Sequence, residues 1–161
     1  VLKGHISLGL SKFPEDKVTS ANLDILARQF LWQTGKDYAH GTGHGVGSFL
    51  SVHEGPHNIS LISTKSTIKK GMVMSNEPGY YIPGEFGIRI ENMMYAKESQ
   101  YPGFLEFEML TLVPYSKDLI IQEMLTEDEL SYLKEYYYNI ETSVAPHLSD
   151  NAKSWFKKQL L

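Results

Sequence analysis

Cysteine is absent from the 161 residues, which excludes disulfides and thiolate metal ligands, so a metal held here must be bound by imidazole and carboxylate. That absence also fits a reducing compartment. Positive charge is in short supply: 15 lysines and arginines stand against 19 aspartates and glutamates, a net charge of -4. No excess remains for phosphate backbones, and nucleic acid is not an expected partner. No apolar run approaches the roughly 20 residues of a bilayer span. The first residues also lack the basic, apolar and small-residue regions of a secretory signal. The expectation is a soluble, cytoplasmic chain with no membrane partner. Fixed-period repeats, low-complexity tracts and long linkers are missing too, which argues against separate domains. An apolar fraction of 42% with 12% aromatic residues suffices to close one core. The first residue is a valine in a stretch that reads like mid-helix, and a processed product or the tail of a longer protein is expected.

Histidine, by contrast, is concentrated. Four of the six lie between His40 and His57, within His40-Gly41-Thr42-Gly43-His44-Gly45-Val46-Gly47 and Val52-His53-Glu54-Gly55-Pro56-His57. A buried imidazole needs a hydrogen-bond partner or a metal, and glycine lets backbone crowd a ligand where a Cβ would not fit. The cluster therefore suggests a metal or substrate site, although a lone histidine is more often a surface or core residue, as His5 and His147 are expected to be. His40 and His44 have the i, i+4 spacing of helical zinc ligands, but the glycines around them oppose a helix, and the two need not share an ion.

Hydrophobic spacing predicts a helix ending near Leu10 and a second from Ser20 or Asn22, with Leu23, Leu26, Ala27, Phe30 and Leu31 on one stripe and Gly35 beyond its end. From His40 to Val113 the chain turns to short β-branched and aromatic segments between glycines and prolines. Strands are expected at 49–53, 73–81, 88–95 and 106–113, the last as an edge strand with Glu106 and Glu108 facing water. Thr126 to Glu129 has capping-box form ahead of Leu130, Leu133, Tyr136 and Tyr137, and a last helix should follow Ser149. This order of elements indicates an α+β fold with an antiparallel sheet.

Two glutamates stand out within that sheet. The segment Pro83-Gly84-Glu85-Phe86-Gly87 reads as a turn, and a hairpin centred near Gly84 opposes residues whose numbers sum to 168, so Glu77 faces Glu91. Opposed side chains have Cβ atoms roughly 4.5 to 5.5 Å apart, a distance at which like charges destabilise the pair. A divalent cation between them would supply the missing charge, although a bulge at Pro78-Gly79 would shift the register, and exposed hairpin glutamates remain the alternative. Strand alternation puts Arg89 and Tyr81 on the face of the carboxylates and Ile88 and Ile90 on the other. A Tyr-Arg pair supporting the carboxylates is expected.

These segments resemble one family over nearly the whole chain. The stretch from His40 to Leu50, Val52-His53-Glu54-Gly55-Pro56, Glu77-Pro78-Gly79-Tyr80-Tyr81 and Phe86-Gly87-Ile88-Arg89-Ile90-Glu91-Asn92 are similar, in order and spacing, to the metal-dependent aminopeptidases of the pita-bread fold. Within them the match is to the larger Xaa-Pro aminopeptidases (aminopeptidase P), with prolidase and methionine aminopeptidase similar in outline. The resemblance implies an α+β pita-bread (creatinase/aminopeptidase-like) fold, present as a C-terminal portion without its first strands, in which helices pack on a curved antiparallel sheet. It implies a partial catalytic domain over 1–117 and a helical C-terminal extension over 118–161 packed on the same domain. It further implies that His44 and Glu77 bind one ion of a dinuclear site, that Glu91 bridges both, and that Glu77 is the base for the attacking water. His40 would line the pocket for the substrate proline and His53 would bond the substrate backbone or tetrahedral intermediate, both serving the catalytic step, while Tyr81 and Arg89 would form the outer, substrate-facing shell.

The complete enzyme would carry two divalent ions, commonly Mn2+, and would act as a homodimer on peptides with proline at the second position. The family's two aspartate ligands lie upstream of the helix that begins here, and neither Asp24 nor Asp37 has their context. One ion or none is therefore expected on this chain alone, with no activity. The competing readings are a non-catalytic module that keeps the pocket of His40, His53 and Arg89, an assembly module built on the C-terminal helices, and a prolidase-type dipeptidase.

Overall fold

The computed structural model describes residues 1–62 and 66–160, which form two compact units, Val1–Leu110 and Thr111–Leu161. In the first unit, helix α1 (Leu2–Gly9) buries Ile6 and Leu8, and helix α2 (Ser20–Trp32) buries Leu23, Ala27 and Leu31, the expected stripe. The N-cap of α2 is Thr19, one residue before the expected position. The reason is local: the Asn22 side-chain oxygen turns back to accept from the Thr19 N–H at 3.0 Å and from its hydroxyl at 2.9 Å, satisfying one backbone donor at the helix start and fixing the Thr19 side chain.

The sheet is antiparallel and has the order β1-β8-β7-β4, from strands β1 (Lys12–Pro14), β4 (Val73–Asn76), β7 (Asn92–Glu98) and β8 (Phe104–Met109). Two further pairs complete the unit: β2 (Gly43–His44) with β3 (Asn58–Ile59), and β5 (Gly79–Ile82) with β6 (Phe86–Arg89). Alternation turns Met74, Met94, Ala96, Leu105 and Phe107 inward, where they meet Leu8, Leu23, Ala27 and Ile59. Each fully buried aliphatic of this kind contributes about 1.5–3 kcal/mol. On the other face Lys97 Nζ lies 2.7 Å from Glu108 and 3.6 Å from Glu106, exposed pairs that add little. Because β1 pairs with Phe104 to Glu106, β8 is an edge only over its last residues, a correction to the expected edge strand.

Two expected strands are each interrupted. The segment 73–81 is broken at Glu77-Pro78 and 88–95 at Ile90-Glu91, since Pro78 has no N–H to give a ladder. The register nonetheless holds on both sides of the break: Asn76 faces Asn92 and Gly79 faces Arg89, both pairs summing to 168. The expected strand 49–53 does not form. Gly47 N–H donates to Ser51 O at 2.8 Å, Leu50 takes a left-handed backbone at φ 58°, and Phe49, Leu50 and Val52 point into solvent, so the chain turns before any ladder is made.

His5 is a core residue of α1. Its ring faces the backbone of Asn76 and Ile90, and its carbonyl accepts from Asn76 Nδ2 at 3.0 Å, so one helix residue packs against both segments that lead to Glu77 and Glu91. Burial lowers the imidazole from 6.5 to about 4, outweighing the opposing influence of the Asn76 and Ile90 backbone. Above pH 6.5 the ring is neutral in the folded and unfolded chains, and its contribution is constant. Between 6.5 and about 4 only the unfolded chain takes up the proton, so stability falls across that window, by up to about 3 kcal/mol, and levels below it. Urea midpoints at pH 7 and 4.5 should therefore differ by less in His5→Gln than in the natural protein. An identical difference in both would assign the loss to other groups.

In the second unit, helix α3 (Glu127–Ser143) starts with the expected capping box: Thr126 N–H donates to Glu129 Oε2 at 2.8 Å and Glu129 N–H donates to Thr126 Oγ1 at 3.3 Å. Leu133, Tyr136, Tyr137 and Ile140 are buried, and the Tyr136 ring stacks on Tyr115 at 5.0 Å. Helix α4 (Asp150–Lys157) follows the Ser149 cap and buries Phe156. No helix among the described residues is long and apolar enough to cross a membrane.

Candidate metal centre

The break between the two ladders is where the chemistry gathers. His44, Glu77 and Glu91 each bring one potential ligand atom to a common point, all within 4.8 Å of one another; the hairpin register predicts the pairing of the two glutamates, and His44 joins them as the resemblance implies. The His44 ring Nδ1 lies 3.0 Å from the Gly45 carbonyl, an acceptor, so Nδ1 carries the proton and Nε2 presents a lone pair. That lone pair faces Glu77 Oε1 at 3.3 Å. Two acceptors at that distance, with a second carboxylate beside them, call for a shared positive charge, and an imidazole with two carboxylates is a donor set that fits a divalent ion.

Glu77 is held from three sides. Its N–H donates to the Thr42 carbonyl at 2.7 Å, Ser75 Oγ donates to Oε1 at 2.9 Å, and Arg89 Nη1 lies 3.7 Å from Oε2. Ser75 also accepts from the His44 N–H at 2.9 Å, so one hydroxyl links the backbone of His44 to the carboxylate of Glu77. The Glu77 side chain is 12% exposed, while Glu91 lies open to solvent.

The remaining expected residues lie around this point. His53 stacks edge-on against His44, with ring centroids 4.2 Å apart. Arg89 Nε donates to the Tyr81 hydroxyl at 2.8 Å, and that hydroxyl lies 3.0 Å from His40 Nε2. Since His40 Nδ1 faces the Gly41 carbonyl at 2.7 Å, the proton order is Arg89 to Tyr81 to His40. The Tyr81 ring lies flat over its own hairpin, where only glycine fits: a Cβ at Gly87 would come 2.7 Å from Tyr81 Cδ1, and one at Gly79 would collide with its hydroxyl. The opposite face carries Ile88, as alternation predicts, and that side chain is 41% exposed.

Sequence reading missed the support of the site. Ser75 was findable, being two residues before Glu77 and on the same pleat. Asp24 and Arg28 carry no such signal, yet on α2 they are 0% and 2% exposed, with Arg28 Nε donating to Asp24 at 2.6 Å. Arg28 also donates to Asp37 at 2.7 Å, to the Tyr38 carbonyl at 2.6 Å and to the His40 carbonyl at 2.7 Å. Burial works against the charge of Asp37, but hydrogen bonds led by that from Arg28 outweigh it and hold its carboxyl below the usual range. Asp24 and Asp37 are thus committed to Arg28, as their lack of ligand context implied.

Solved structures give the class. The fold matches X-prolyl aminopeptidase from Caenorhabditis elegans, described as a cytosolic enzyme with a di-nuclear active site, with a TM-score of 0.92 and 38% identity over 100% of this chain and 27% of that one. A prolidase from Pyrococcus furiosus aligns with a TM-score of 0.61 and 32% identity over 71% of this chain and 31% of that one. The architecture is the α+β pita-bread fold of aminopeptidases and prolidases.

Its family follows from the sequence profile. The chain belongs to metallopeptidase family M24, whose model matches residues 1–98, with the C-terminal region of that peptidase matching 103–160. Among curated relatives, Xaa-Pro aminopeptidase 1 of Dictyostelium discoideum is 48% identical over 99% of this chain and 27% of its own length. The chain spans about a quarter of the length of the curated relatives it matches.

Proposed function

We propose that this chain supplies part of the active site of a dinuclear-metal Xaa-Pro aminopeptidase, a metallo-exopeptidase that hydrolyses the bond before a proline at the second position. The convergence of His44, Glu77 and Glu91 supports this above all. His44 and Glu77 would hold one divalent ion and Glu91 would bridge to a second; carboxylate and imidazole donors suit Mn2+. When bound, such ions supply Lewis-acid polarisation of the scissile carbonyl and a water of lowered pKa.

The chain's own residues do the rest. Glu77, oriented by Ser75 and facing Arg89, takes the proton of the attacking water. In this reading His53 bonds the substrate backbone and His40 lines the side that receives the proline, roles supported by the packing of His53 on His44 and the bond of His40 to Tyr81. We assign 1–117 to the catalytic domain and 118–161 to a helical extension, and we read the enzyme as cytoplasmic and homodimeric. The cytosolic description of the C. elegans enzyme supports the former, and the exposed Leu119, Ile121 and Met124 are consistent with the latter. We further propose that the isolated 161-residue chain binds at most one ion and is inactive, a reading supported by the convergence of three potential ligands among the described residues.

The test is hydrolysis of a matched peptide pair by the intact protein carrying this sequence, loaded with Mn2+. Release of the first residue from the peptide with proline second, and not from its alanine counterpart, is expected. Cleavage confined to Xaa-Pro dipeptides would make it a prolidase, binding without cleavage would make it a binding module, and turnover by the isolated chain would overturn the half-site reading.

A further inference from the structure

A column of flat groups runs from the core to the site. The Arg28 guanidinium lies 3.9 Å from the centre of the Tyr38 ring, and the Tyr38 ring lies 4.8 Å from that of His40. The His40 ring meets Tyr81 edge-on at 5.5 Å, and the Arg89 guanidinium lies 5.7 Å from the Tyr81 ring. The inner end is rigid, because Arg28 and Tyr38 are 2% and 5% exposed and Arg28 is tied to Asp24 and to the Tyr38 and His40 carbonyls. Tyr38 is tied a second time, its hydroxyl lying 2.5 Å from Thr42 Oγ1, which itself donates to Asp24 at 2.5 Å. Burial is the main cause that raises the phenol to about 12, so the hydroxyl is neutral and able to donate.

The outer end is different, since His40 is half-buried and reaches Tyr81 with its ring alone. The outer torsion of an imidazole is broad and roughly two-fold, so the groups packed around the ring decide which orientation it keeps. The only groups in this column that touch both of its sides are the Tyr38 face and the Tyr81 edge.

We propose that Tyr38 is a positioning residue for His40: its ring, clamped by Arg28, is the platform that holds the imidazole with Nδ1 on the Gly41 carbonyl and Nε2 toward Tyr81. Tyr38 touches no substrate and acts through His40, so the catalytic consequence rests on the reading of His40 as the group that lines the proline side. A cation-π contact attracts a ring from behind and so favours its position, and a ring fixed in this way favours one orientation of the ring packed on its other face.

Two variants of the intact protein separate the ring from the hydroxyl. Tyr38→Met removes the platform at similar volume, and Tyr38→Phe removes only the bond to Thr42. The readout independent of turnover is the set of imidazole nitrogen signals in protein with labelled histidines, with His44 as the internal control. The expectation is that His40 loses its fixed Nδ1–H tautomer in Tyr38→Met and keeps it in Tyr38→Phe, while His44 is unchanged in both. In the Mn2+-loaded enzyme Tyr38→Met then loses kcat/KM on the order of ten- to hundredfold, chiefly through KM, with metal content unaltered. Tyr38→Phe keeps kcat/KM while melting at a lower temperature. An unaltered His40 pattern in Tyr38→Met, or an altered one in Tyr38→Phe, overturns the platform. Should the Met variant not fold, the Phe variant alone still decides whether the hydroxyl rather than the ring orients His40. If no variant, nor the natural protein, cleaves peptides, the proposed function falls while the nitrogen signals still judge the platform.

Discussion

Replacing Glu77 with glutamine is expected to lower kcat for an Xaa-Pro peptide by about three orders of magnitude, the range over which a positioned general base acts. Glutamine has the same shape and can still accept from Ser75 Oγ, so the hairpin keeps its form. What disappears is the negative charge that faces the His44 lone pair and Arg89, and with it the site that receives the proton of water. Part of the effect will be weaker metal binding, since Glu77 is both base and ligand in this reading. The measurement is therefore kcat at saturating Mn2+ with metal content determined on the same sample. A kcat within tenfold of the natural enzyme at full metal content would remove Glu77 from the role of base. Glu91→Gln gives the contrast, because there metal content should fall first and turnover should follow it.

Arg28→Met should cost about 3–5 kcal/mol of stability, the loss found when one partner of a buried ion pair is removed and the other is left uncompensated. Asp24, 0% exposed, would keep only the Thr42 hydroxyl, and the carbonyls of Tyr38 and His40 would lose their donors. The expected observation is a large drop in the urea midpoint with unchanged slope. Adding Asp24→Asn to Arg28→Met should return a sizeable part of the loss, because the amide is neutral and its oxygen still accepts from Thr42. A double variant no more stable than the single one would show that the bonds to the 37–42 loop, and not the stranded charge, dominate. The two changes lie one helical turn apart and share partners, so their effects are not expected to add.

The pairing of the two carboxylates could be read from the sequence because a hairpin is arithmetic: once Gly84 marks its tip, alternation and pairing fix which residues face each other, and Glu77 opposite Glu91 follows. The same arithmetic could not show that the ladder breaks beside the two glutamates, since hydrophobic pattern describes faces and not the continuity of hydrogen bonds. The segment 49–53 misled for a related reason. Its Phe49 and Leu50 have strand composition, but a strand needs a partner, and the turn set by Gly47 and Ser51 offers none. Asp24 and Arg28 were hidden by burial: charged residues on a helix are read as a solvated face, and only the tertiary fold shows these two folded inward to hold the histidine loop. His5 was hidden likewise, its surroundings being the Asn76 side chain and the backbone of Asn76 and Ile90, which no sequence pattern announces.

Two ladders of one register flank the carboxylate pair, β4–β7 on the inner side and β5–β6 on the outer. Either would suffice to set the separation of Glu77 and Glu91, so the arrangement is redundant. The inner ladder is buried in the sheet, whereas β6 is exposed along its length. The ribbon beyond the carboxylates can therefore fray, lengthen at its tip or change sequence while the distance between the two oxygens stays as the inner ladder dictates. Variation in what approaches the site is in this way uncoupled from the geometry of the site itself, which leaves one part of the hairpin open to evolutionary change and keeps the other constant.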